Sequence, residues 1–90
     1  MNARAGPAPK VVGGLWKKTN LRAAQVVGGR VHALGARDGE AWLLTASVTP
    51  GGVVESGQTK LGKHAPAALA VVNQLAVVVN EDGGGLVVQL

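Results

Sequence analysis

The sequence predicts a mainly β protein. The expected form is a small, β-rich α+β domain of about five or six short strands in antiparallel hairpins, with one short helix near 65–75 and a flexible N-terminal arm. Three observations lead there. Valine, which is β-branched and poor in helices, recurs throughout. Glycine pairs punctuate the chain, as VVGG at 11–14 and 26–29, GGVV at 51–54 and GGGLVV at 83–88. Their uneven spacing excludes a solenoid period and marks the ends, bends or bulges of short strands. Finally, Asp38-Gly39 stands between two apolar runs, a hairpin signal.

The elements follow in chain order. Residues 1–9, MNARAGPAP, carry Gly6, Pro7 and Pro9 without apolar periodicity and read as a flexible arm; residues 10–90 form the single domain. The stretch TNLRAAQVV, 19–27, has Thr19 or Asn20 as a helix cap and Gly28 as a stop. The favoured alternative is a strand, AAQVVGGRVHAL, running through a glycine bulge. RVHAL and AWLLTASVT then flank the Asp-Gly turn. In the second of these Trp42, Leu44, Ala46 and Val48 share one face and Thr45, Ser47 and Thr49 the other, which implies one buried and one wetter face. PGG at 50–52 turns the chain into VVESGQTKL, a more polar strand near an edge. KHAPAALAVVNQL, 63–75, is the expected helix, with Pro66 near its start and alanines after it. QLAVVVN and LVVQL, joined by EDGGG, form a final hairpin. Both strands are nearly continuously apolar, so both faces are expected to be covered.

A chain of 90 residues buries a modest fraction of its surface. Cysteine is absent, so neither disulfides nor Cys-based zinc sites are available. Phe, Tyr and Ile are missing as well, leaving Trp16 and Trp42 as the only large fillers in a core of Val, Leu and Ala. Such a core gains from a partner, and a homo-oligomer is the simplest route. APAALAVVNQLAVVV, 65–79, is shorter than the roughly 20 apolar residues a bilayer requires and is interrupted by Asn73 and Gln74. The N-terminus has no apolar signal-peptide core. A cytoplasmic or particle-associated protein with no membrane role is therefore expected.

Charge is unevenly spread. The net value is +4, and Arg4, Lys10, Lys17, Lys18, Arg22, Arg30 and Arg37 all precede the first acid, Asp38. After Lys63 only Glu81 and Asp82 are charged, apart from His64. That asymmetry points to an anionic partner for the N-terminal half, set against the plainer reading of a protein basic for solubility. Trp16 beside Lys17 and Lys18 offers a stacking face next to phosphate-binding cations, although a tryptophan in so poor a core also serves as filler.

The remaining chemistry is sparse. KVVGGLWKKTN, 10–20, departs from a nucleotide-binding loop because Lys17, not glycine, precedes Lys18-Thr19. His32 and His64 are far apart in sequence, and no nucleophile-elbow pattern surrounds a serine. Neither an enzyme, a cofactor nor a metal site is expected. The leading expectation is a non-enzymatic module that contacts nucleic acid or another polyanion through its basic N-terminal half and assembles through its apolar C-terminal half. Its expected contacts are Lys10, Trp16, Lys17, Lys18, Arg22, Arg30 and Arg37. The alternative is a structural assembly subunit, for example of a phage or other particle, with no nucleic-acid role.

Overall fold

The computed structural model describes residues 15–90; the arm expected over 1–9 and Lys10 lie outside them. Among the described residues the protein is all β. Seven strands run β1 (Asn20–Val27), β2 (Arg30–Arg37), β3 (Glu40–Thr49), β4 (Gly52–Gly62), β5 (Pro66–Val72), β6 (Leu75–Asn80) and β7 (Gly85–Gln89). They form two antiparallel meanders, a four-stranded sheet in the order β1-β2-β3-β4 and a three-stranded sheet in the order β5-β6-β7.

Tight turns set the registers. Asp38 and Gly39 have φ of 53° and 75° between the paired Arg37 and Glu40, the positive values that a two-residue type I′ hairpin needs. Gly28, at φ 60°, opens another two-residue turn with Gly29 between Val27 and Arg30, so AAQVVGGRVHAL is two strands joined by a hairpin rather than one bulged strand. The bulge lies elsewhere in β1, where Arg22 is the extra residue between Leu21 and Ala23. Gly35 is required by close approach: a Cβ there would stand 2.6 Å from Thr19 Cγ2 and 3.2 Å from the Asn20 carbonyl oxygen. β4 is an edge strand, as its polar sequence predicted.

The helix expected near 65–75 is replaced by β5, a turn at Asn73-Gln74 and the start of β6. Val71 and Val72 are β-branched and poor helix formers, and the left-handed Asn73 at φ 55° interrupts any helix across 63–75. As a strand the same residues pair Leu69 with Val78 and Val71 with Ala76, burying Val71, Ala76 and Val78. Asn73, at φ 55°, is a residue type that tolerates the left-handed turn conformation. Pro66, which has no N–H to donate, occupies the first position of β5 beside a bulge.

The core divides between the two faces of the four-stranded sheet. On one face Trp16, Ala33, Leu44 and Ala46 are buried, with Leu15, Val31, Trp42 and Val53 packed around them. On the other, Leu43 packs with Val71 and Ala76 of the smaller sheet, flanked by Leu61, Leu69 and Val88. β3 therefore has two dry faces, with Leu43 2% and Leu44 0% exposed, where one wetter face was expected. Period-2 alternation along β3 is correct, but the smaller sheet covers its second face at Leu43. The two sheets are also joined by a side-chain bond, the Val71 N–H donating to Gln25 Oε1.

Candidate interaction surface

The expected cationic contacts do not form one face. Lys17 and Lys18 are exposed on the 15–18 turn. With Arg37 and the acids Asp38 and Glu55 they line a shallow groove of about 550 Å³. Arg37 is tethered there: its Nε donates to Thr19 Oγ1 at 2.9 Å, its Nη1 donates to Gln58 Oε1 at 3.0 Å, and its guanidinium sits 4.9 Å from the Trp42 ring centroid. Arg30 lies on the opposite face of the sheet, as the pairing of Gly35 with Trp42 and of Arg30 with Ser47 requires. It lines a separate groove of about 260 Å³ with His32, Val27 and Asn73. Arg22 is exposed at the β1 bulge.

Trp16 takes the core role and offers no stacking face. Trp16 is 6% exposed against Ala33, Leu44 and Ala46, and its backbone N–H donates to Glu55 Oε1 at 3.2 Å. Its φ of 48° is strained for a bulky residue, at a cost of about 1–3 kcal/mol. Truncating a buried tryptophan typically costs about 3–5 kcal/mol, so burial outweighs the strain. The 15–18 turn is thereby pinned, and Lys17 and Lys18 are carried on it.

His32 is 4% exposed, and its Nδ1 has no hydrogen-bond partner among the described residues. Burial, and secondarily the nearby Arg30 charge, hold its pKa below 6.5, so the ring favours the neutral form. Among the described residues no three His, Asp or Glu side chains come together as a metal site. No helix there is long and apolar enough to cross a membrane.

Among the described residues, an apolar sheet face stands without a partner. Strand alternation in β5-β6-β7 sends Leu69, Val71, Ala76, Val78 and Val88 inward. Val72, Leu75, Val77, Val79 and Val87 therefore share the outer face, with Ala68 and Ala70 beside them. Val72 is 60%, Leu75 41%, Val79 42% and Val87 67% exposed. Among the described residues, the coverage of both faces expected for the last hairpin is thus absent. No charged residue lies on this outer face; the nearest acids, Glu81 and Asp82, are in the β6–β7 loop.

Sequence reasoning marked these strands as apolar but did not identify the uncovered side. Parity in a continuously apolar run gives no sign of which face meets the core. The chain matches no known family model, no curated protein and no solved structure.

Proposed function

We propose that the protein is a non-enzymatic assembly subunit that packs the outer face of its β5-β6-β7 sheet against the same face of a second copy. One observation carries this reading: an uncharged aliphatic sheet face, 41–67% exposed at Val72, Leu75, Val79 and Val87. Contiguous apolar patches of this kind are uncommon on monomers and mark contact sites. Complete burial of a valine or leucine is worth about 1.5–3 kcal/mol, so these half-exposed residues supply on the order of 4 kcal/mol per copy. Two copies supply roughly twice that, within the range of about 4–15 kcal/mol that association costs in lost freedom. The expected contact is therefore weak to moderate and depends on concentration. Charge does not oppose a like partner, because no charged residue lies on the outer face that two copies would share.

Polyanion contact is the second reading. It rests on Lys17 and Lys18, exposed side by side on a turn anchored by Trp16. The separation of Arg30 from that turn, and the acids Asp38 and Glu55 beside it, weigh against a continuous phosphate track.

Sedimentation velocity of the full chain over a concentration series tests the assembly reading. The wild type should gain mass with concentration, and Val79→Lys should shift the curve toward monomer while keeping the far-UV spectrum. A wild type that stays monomeric at every concentration would sink the proposal.

A further inference from the structure

Among the described residues the two sheets have four edge strands, and three are blunted against pairing with another chain. β1 carries a bulge and Arg22. β4 carries two register shifts together with Glu55 and Lys60. β5 begins with Pro66 and a bulge, and Gln25 occupies its Val71 N–H. Bulges, charges and proline are the usual protections of an exposed edge. β7, with the sequence GLVVQ, has none of them, and its pairing with β6 is regular throughout.

The hydrogen-bond alternation identifies which groups β7 presents. The Leu90 N–H donates to the Gln74 carbonyl at 2.8 Å, so residue 90 points its backbone groups toward β6. Antiparallel pairing alternates, and Val88 and Leu86 therefore do the same toward Ala76 and Val78. The N–H and C=O groups of Gly85, Val87 and Gln89 point the other way, along the free edge.

We infer that β7 pairs antiparallel with β7 of a second copy across a two-fold axis at Val87. This inference rests on the assembly reading but uses a different surface, the strand edge instead of the sheet face. The pattern is self-complementary. Val87 exchanges both bonds with Val87 of the other copy, and Gly85 pairs with Gln89 in both directions. Every outward group of Gly85–Gln89 is then used, and two three-stranded sheets become one of six strands. No charge lies in β7 to oppose the approach. Two five-residue strands bury less than the roughly 1,200–2,000 Å² of stable complexes, so the edge contact alone is weak and gains strength from the apolar faces it sets side by side.

The test is Val87→Pro against Val87→Ala in sedimentation velocity, with amide hydrogen exchange of the wild type. Proline removes only an N–H that makes no bond to the described residues, and edge positions of that kind accept it. Losing the two symmetry-related Val87 bonds should weaken edge dimerisation about 100-fold. Val87→Ala keeps the N–H and should retain the edge contact. In the wild type the Val87 and Gln89 amides should gain protection with concentration, a readout that does not depend on how any variant folds. Unprotected Val87 and Gln89 amides in an oligomer that still responds to Val79→Lys would overturn the edge pairing and leave face assembly standing. A wild type monomeric at all concentrations would overturn both.

Discussion

Gln25→Met probes the link between the two sheets. The Gln25 carbonyl oxygen takes the N–H of Val71, a group on the side of β5 that faces away from β6. Methionine has nearly the same length and volume, so packing should change by less than about 1 kcal/mol. The Val71 N–H, in a partly buried position, loses its acceptor. An unsatisfied buried donor costs about 1–3 kcal/mol, which gives a net expectation of roughly 2 kcal/mol. In a domain of this size each kcal/mol moves the melting temperature by about 4–8 °C, so a fall of roughly 8–16 °C is expected. Urea unfolding should show a lower midpoint at unchanged slope, because the surface exposed on unfolding is the same. Gln25→Glu keeps an acceptor oxygen and should lose less than the methionine variant at neutral pH. A Gln25→Met protein within about 0.5 kcal/mol of wild type, or a glutamate variant equally damaged, would refute the reasoning.

Two further outcomes follow from the core and from His32. Leu44 is fully buried beside Trp16 and Ala33, so Leu44→Ala should cost about 3–4 kcal/mol, much of the stability of so small a domain, and a urea-midpoint change worth under 1 kcal/mol would contradict the packing. His32 has a folded pKa held below its unfolded value of 6.5 by burial first and Arg30 second. The unfolded chain therefore binds more protons just below pH 6.5. Stability is complete above that pH and falls as pH drops, levelling once the folded state is protonated too. NMR titration should find His32 below 6.5 and raised by Arg30→Gln; a wild-type value at or above 6.5 would contradict the assignment.

Much of the strand content was legible in the sequence because its signals are local. Asp38-Gly39 dictates a hairpin through its left-handed backbone, and EDGGG between two valine runs dictates another. The polar composition of VVESGQTKL marks an edge. The segment 63–75 reads as a helix because alanine content and Pro66 favour one locally, whereas the burial of Val71 against Leu43 depends on a residue far away in the chain. Trp16, Lys17 and Lys18 are neighbours in sequence, yet the fold turns the indole into the core and the lysines outward. Charge order along the chain likewise gave no warning that Arg30 and Arg37 lie on opposite faces of β2, because an odd separation reverses direction in a strand.

By itself, the sequence determined a cysteine-free, valine- and glycine-rich chain that favours short antiparallel strands, with its cations early and its apolar residues late. Tertiary structure alone decided which face of each strand is dry. Among the described residues it buried both sides of β3, left the outer side of β5-β6-β7 uncovered, and protected every edge except β7. The physical reason is that strand propensity and turn chemistry act over a few residues. Coverage of a sheet face depends on where a second sheet comes to rest.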